Sequence, residues 1–311
     1  MTPDRTSPDR TSPDLHPVIP PPGIHGGDGA ALAAALGIDP GQVLDLSASL
    51  NPVAPDVAEI TARHLDALAR YPDPATATGA FAQALGVEPD RVLLTNGGAE
   101  AIALVRAEVG GGAAEEPEFG LHPRSPEGPR WRSNPNNPLG LLARPDQQAD
   151  VWDEAYYPLS AGEWTAGRPG IVVGSLTKLL TCPGLRIGYV LADPDVIVRL
   201  QTRQPDWSLN GLAAESLPDL LDAVDLPGWS SEIARLRGLL TGLLDKHGLD
   251  PRPSDANFVL CANGHGLRTR LARHAVLVRD CTSYGLPGHA RLAVPDEVGL
   301  ARLEEALCAG G

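Results

Sequence analysis

The sequence predicts an α/β protein: a mostly parallel sheet in a large domain, followed by a smaller α+β domain. Three observations lead there. Short apolar strands alternate with helical stretches between residues 73 and 204, and the pattern changes after Trp207 to a long amphipathic helix and a second, shorter series. The chain's 311 residues, at ~150 per domain, also make about two domains. Strand and helix alternation of this kind places helices on both faces of a sheet.

Taken in order, the Ala-rich stretch 29–36 reads as a helix that Gly37 ends. Residues 73–85 read as a helix, 91–95 as a buried strand and 99–109 as a helix. Strands are expected at 150–153, 171–175 and 186–192, and a helix at 193–204 with Pro194 in its first turn, where a missing N–H is harmless. Residues 231–247 carry apolar side chains at 233, 236, 240 and 243, the spacing of a helix face, and Gly248 stops them. Strands 257–261, 275–279 and 290–294 then interleave with helices 266–274 and 296–308. The expected organisation is a large domain over 45–205, with 23–44 and 206–311 forming the small one. Residues 1–22, with a near-repeat of Thr-Ser-Pro-Asp and a run of prolines, are expected to be a disordered tail.

Composition narrows the function. Twenty-five Lys and Arg against 39 Asp and Glu give a net charge of −14, which repels phosphate backbones and anionic bilayers and argues against nucleic-acid or membrane partners. No apolar run approaches the ~18 residues of a membrane span, and the N-terminus lacks an apolar leader core, so a soluble cytoplasmic protein is expected. The four cysteines form no Cys-x-x-Cys pair and no two histidines sit at metal-binding helical spacing, so neither disulfides nor a metal site is expected.

Five short motifs follow one another: Thr95-Asn96-Gly97-Gly98-Ala99-Glu100, Asn134-Pro135-Asn136-Asn137-Pro138, Trp152-Asp153-Glu154-Ala155-Tyr156, Ser175-Leu176-Thr177-Lys178 and Gly184-Leu185-Arg186-Ile187-Gly188. With them the chain resembles, from about His25 onward, the class I/II aminotransferases that use pyridoxal 5′-phosphate (PLP) on the fold-type-I scaffold. Within that family it is similar to histidinol-phosphate aminotransferases and to the threonine-phosphate decarboxylase of cobalamin biosynthesis. The second likeness rests on His25-Gly26-Gly27, Ser47-Ala48-Ser49-Leu50-Asn51-Pro52, Gln204-Pro205-Asp206-Trp207-Ser208 and Val278-Arg279-Asp280-Cys281.

Several of these residues also have a physical reading of their own. Schiff-base chemistry needs an amine that can lose its proton near neutral pH, and Lys178 follows strand 171–175 at the end where α/β sheets bind ligands. The chain's other lysine, Lys246, closes a helix, where a cation complements the dipole. A pyridine nitrogen stays protonated beside a fixed carboxylate, and Asp153 ends a strand, although an Asp there is also ordinary turn chemistry. Gly97-Gly98-Ala99 joins a strand to a helix, so backbone N–H groups of Gly98 and Ala99 can face an anion.

The resemblance implies further roles. Ser175, Thr177 and Arg186 correspond to side-chain phosphate ligands, Asn137 and Tyr156 to partners of the cofactor's phenolic oxygen, and Phe119 to an aromatic stacked on its ring. Tyr71 corresponds to a tyrosine donated across a dimer interface to the neighbouring subunit's phosphate, implying a homodimer. Arg291 corresponds to the arginine that clamps a substrate carboxylate, with Asn257 at the same mouth and His25 near a substrate phosphate. The expected function is therefore a PLP-dependent aminotransferase for an L-amino acid, phosphorylated or not. The alternatives are threonine-phosphate decarboxylation and a non-catalytic PLP-binding protein.

One departure stands out. Only 11 residues separate Phe119 from Trp131, too few for the ~30-residue βαβ unit expected before the Asn-Pro motif. Residues 120–130 read as loop, and the cofactor ligands are expected to lie outside it.

Overall fold

A computed structural model describes residues 18–23 and 25–309. Along the chain run α1 (Gly29–Leu36), β1 (Leu44–Asp45), α2 (Val57–Ala62), α3 (Ala75–Leu85), β2 (Val92–Asn96), α4 (Gly97–Val109), β3 (Gly112–Ala113) and β4 (Arg130–Ser133). There follow β5 (Val151–Asp153), α5 (Tyr157–Ala161), β6 (Ile171–Ser175), α6 (Leu176–Leu179), β7 (Ile187–Leu191), α7 (Pro194–Gln201), α8 (Gly211–Asp222) and α9 (Leu226–Lys246). The chain closes with β8 (Phe258–Cys261), α10 (Leu267–Ala272), β9 (Val276–Leu277), β10 (Arg279–Asp280), β11 (Ala290–Ala293) and α11 (Glu297–Ala309).

The large sheet has the order β2-β7-β6-β5-β4-β3. Neighbours from β3 to β6 are parallel, and β7 alone runs against both its neighbours. Strand alternation divides its side chains between two cores. Val92, Leu94, Trp152, Val172 and Tyr189 face α3 and α8, while Leu93, Trp131, Val151, Val173 and Val190 face α4 and α7. The second domain packs the antiparallel strands β10-β11-β8 and the parallel pair β1-β9 under α9 to α11. The strand expected over 275–279 thus divides, β9 pairing with β1 and β10 with β11.

The two cores cut across the boundary expected at residue 205. Residues 211–233, assigned from sequence to the small domain, bury Ala213, Leu217, Leu220, Trp229 and Ile233 in the first core, because α8 lies along α3. Helix α9 continues into the second core through Leu236, Leu240 and Leu244, so the two bodies meet within one helix instead of at residue 205. The expected disordered tail lies outside the described residues over 1–17, but residues 18–23 are placed. The Arg268 guanidinium donates to the carbonyls of Pro20 at 2.6 Å and Pro21 at 3.4 Å, and Arg279 donates to that of Gly23 at 2.8 Å.

The missing βαβ unit is visible as a loop folded over the sheet edge. Ala113 N–H donates to Pro123 O at 3.0 Å and Ser125 N–H to Gly111 O at 3.1 Å, so residues 123–125 cover β3 where a further strand would pair. Arg124 holds that loop, donating to the carbonyls of His122, Glu118 and Phe119.

Candidate active site

A cavity of about 330 Å³ opens at the C-terminal ends of β2, β5 and β6, between the two domains. Its lining includes Gly98, Ala99, Phe119, Asn137, Asp153, Tyr156, Ser175, Thr177, Lys178, Arg186, His25 and Arg291, twelve of the residues singled out from sequence.

The reversed strand β7 explains one end. Ser175 pairs with Gly188, and Asn96 with Ile187, so the chain leaves β6 and returns beside it within the link that carries both Lys178 and Arg186. The eight-residue interval between those two cations falls within that link. Gly97 has φ +77°, and a Cβ there would lie 2.4 Å from an Arg186 guanidinium nitrogen. A Cβ on Gly188 would lie 2.3 Å from the Gly97 carbonyl carbon. Glycines at these points let a guanidinium, two hydroxyl side chains and the first turn of α4 converge, a set of donors that suits a dianion.

Lys178 is half-buried in the wall. Its backbone is held by Asn51, which donates its N–H to Lys178 O at 3.0 Å and its side-chain amide to Leu179 O at 2.9 Å. Burial lowers the amine's pKa, helped by the Arg186 and Arg291 charges, while Asp153 opposes. A larger share of neutral amine is the consequence. Asp153, 7% exposed, accepts the Ala155 N–H at 3.0 Å on one oxygen. The other lies 3.0 Å from His122 Nε2.

Across the cavity, Arg291 is buried over the Phe258 ring, donating to Asn137 Oδ1 at 2.5 Å and to Ser47 O at 3.0 Å. The Tyr284 hydroxyl donates to the same Asn137 oxygen at 3.2 Å. Tyr156 stands edge-on to Phe258, and burial raises its phenol's pKa. Phe119 lines the opposite wall, 6.1 Å from the His25 ring at the mouth.

Two candidates lie elsewhere. Asn257 is fully buried and spends its amide on Ser49 O at 2.8 Å and Leu50 O at 3.3 Å, shaping the loop behind the cavity instead of lining it. Tyr71 is 79% exposed and packs on Trp207, with ring centroids 4.6 Å apart. His122, Glu118, Ser133 and Tyr284 were not singled out from sequence. The cofactor ligands named from sequence lie outside the 120–130 loop, which adds His122 behind Asp153.

Comparison with known proteins agrees with this geometry. The profile of the family "Aminotransferase class I and II" matches residues 131–307. A histidinol-phosphate aminotransferase of Nitrosococcus oceani is 33% identical over 199 residues, 56% of this chain and 54% of that protein. The chain spans about half the length of this and several other histidinol-phosphate aminotransferases it matches. A threonine-phosphate decarboxylase of Salmonella typhimurium is 30% identical across 84% of this chain and 88% of its own length. A solved histidinol-phosphate aminotransferase from Sinorhizobium meliloti, in complex with PLP, superposes with TM-score 0.76 at 16% identity over 98% of each chain. The chain belongs to the class I and II aminotransferase family, with the fold-type-I architecture of its PLP-dependent members.

The residues present fit PLP. The dianion cradle suits its phosphate, and a lysine with lowered pKa suits its aldehyde. A buried carboxylate backed by an imidazole suits its ring nitrogen.

Proposed function

We propose that the protein is a PLP-dependent aminotransferase acting on an L-amino acid, with phosphorylated amino acids among its substrates. The observation that carries this reading is the convergence of Lys178, Asp153 and the Gly97–Arg186 cradle on one cavity. When bound, PLP supplies an aldehyde to capture an amine and a cationic ring to withdraw electrons from the substrate's Cα.

The chain's own residues do the rest. Gly98 and Ala99 offer backbone N–H groups, and Ser175, Thr177 and Arg186 offer side-chain donors, to the phosphate. Asp153, oriented by the Ala155 N–H and His122, holds a proton at the ring nitrogen. Asn137 and Tyr156, which line the cavity, would hold the phenolic oxygen, and Phe119 would stack on the ring. Lys178, with its lowered pKa, accepts and returns the proton at Cα. Arg291 receives the substrate carboxylate by exchanging its bond to Asn137 for a bidentate pair, and His25 meets a distal phosphate at the mouth. The exposed cluster Leu65, Leu68, Tyr71 and Trp207 supports a homodimer in which Tyr71 completes the neighbouring subunit's phosphate site.

Decarboxylation of a phosphorylated amino acid is the second reading, favoured by the likeness to a threonine-phosphate decarboxylase over most of both chains. Incubating PLP-loaded protein with L-amino acids and with their phosphate esters separates the two. A 2-oxo acid supports transamination, carbon dioxide supports decarboxylation, and neither product points to binding without turnover. Borohydride reduction should fix the cofactor's mass on the peptide carrying Lys178. Lys178→Ala should lose the label and lower turnover by on the order of 10³-fold or more.

A further inference from the structure

The reading above leaves a buried acid beside the cavity without a role. Glu118 is 2% exposed, four residues before His122 in the loop that stands in for the missing βαβ unit. One carboxylate oxygen accepts the Ser133 N–H at 2.8 Å. The other accepts the Ser133 hydroxyl and, at 2.9 Å, the Phe119 N–H. That second oxygen also lies 3.8 Å from His122 Nδ1, a buried nitrogen with no hydrogen-bond partner.

Each of these contacts leads to the cavity in one further step. Phe119 lines the wall directly. The Ser133 hydroxyl, having donated to Glu118, accepts the Asn137 N–H at 3.1 Å. The far side of the His122 ring meets Asp153 at 3.0 Å. The imidazole is further confined by Phe119, edge-on at 5.7 Å, and by Trp131 at 5.4 Å.

We propose that Glu118 is the positioning residue for the cofactor ring, a single acid that aligns the ring-nitrogen partner, the stacking aromatic and the phenolic-oxygen partner from behind. It touches neither cofactor nor substrate and acts through His122, Phe119 and Ser133. Glu118 faces Nδ1 and Asp153 faces Nε2, so the two acids bracket the imidazole and fix the ring's orientation. Asp153, held by the Ala155 N–H on one oxygen and by His122 on the other, is thereby aimed at the ring nitrogen. Burial pushes the Glu118 carboxyl up, and the facing imidazole and the Ser133 donors pull it back. In this chain the geometry of the site therefore depends on a loop closed around one acid instead of on a strand and helix.

The inference rests on the assignment of Asp153 to the ring nitrogen, and Glu118→Gln tests it separately. The amide keeps the shape but turns a donor toward at least one of the groups that now donate to it. PLP binding, followed by tryptophan fluorescence, should weaken about tenfold. The visible circular dichroism band of the loaded protein, which reports how the ring is held, should shrink. The melting temperature of cofactor-free protein should change little, and in a His122→Asn background the same substitution should have a smaller effect on the band. A Glu118→Gln protein with wild-type affinity and an unaltered band overturns the proposal. Should that variant not fold, Ser133→Ala decides: it cuts only the Glu118–Asn137 line, a weakened band supports the proposal and an unchanged one overturns it. Wild-type protein that takes up no PLP sinks the parent reading instead.

Discussion

Among single residues, Glu154 shows how the site's neighbourhood constrains stability. Fully buried next to Asp153, it accepts hydrogen bonds from the Thr165 hydroxyl at 2.6 Å and from the Ala166 N–H. Burial still dominates and pushes its carboxyl from 4.5 up to about 6. A carboxyl with a raised pKa binds its proton more tightly when folded, so it favours the folded state at low pH. That contribution is lost as pH rises from about 4.5 through about 6. The loss amounts to about 2 kcal/mol. Glu154→Gln should therefore flatten the stability curve in that window relative to wild type, measured by urea unfolding at a series of pH values. Parallel curves for the two proteins would refute the assignment.

At the level of elements, the loop over residues 114–129 replaces a piece of regular structure, and Arg124 is its fastener. Its guanidinium reaches four backbone carbonyls and pairs with Glu116. Arg124→Ala removes those donors at a cost of about 1–3 kcal/mol. It should raise amide hydrogen exchange across 114–129 and weaken PLP binding through His122, leaving exchange in β6 and β7 unchanged. Protection unchanged in the loop would show that the β3 pairing alone holds it.

The elements also show what could be read in advance. Helices α1, α3, α4, α7 and α11, and strands β2, β5, β6, β7, β8 and β11, were legible because their apolar spacing and flanking Gly or Pro act within a few residues. The phosphate cradle was legible for the same reason, as Gly97 and Gly188 are local demands for space. What escaped depends on distant partners. Helix α8 was hidden by Pro218 and by an apolar face that makes sense only against α3. Strand β4, Arg-Trp-Arg-Ser, carries two cations and earns its place by pairing with β5. Asn257 looked like a ligand because its type suits one, yet its amide closes a contact with residues more than two hundred positions away. Glu118 and His122 were invisible because their meaning lies in a buried contact with Asp153 and Ser133.

On the scale of the whole molecule, the exposed cluster of Leu65 (55%), Leu68 (69%), Tyr71 (79%) and Trp207 (61%) is the surface on which the proposed dimer rests. Four large apolar side chains left in water are costly for a lone chain. Leu68→Glu should shift sedimentation from twice the chain mass toward a single chain and weaken PLP retention, since the partner's tyrosine leaves with it. Wild-type protein sedimenting as a monomer at micromolar concentration would contradict this reading. No helix among the described residues is long and apolar enough to cross a membrane.

The 21-residue helix α9 is rooted in the first core by Leu226, Trp229 and Ile233 and in the second by Leu236, Leu240 and Leu244. It works as a shared axle. Neither half can be cut free as a stable fragment, because any excision between residues 205 and 246 strips a greasy stripe from one side or the other. Heat should accordingly melt both bodies in a single calorimetric peak. Any hinge that opens the cleft must flex around this rod and not across it.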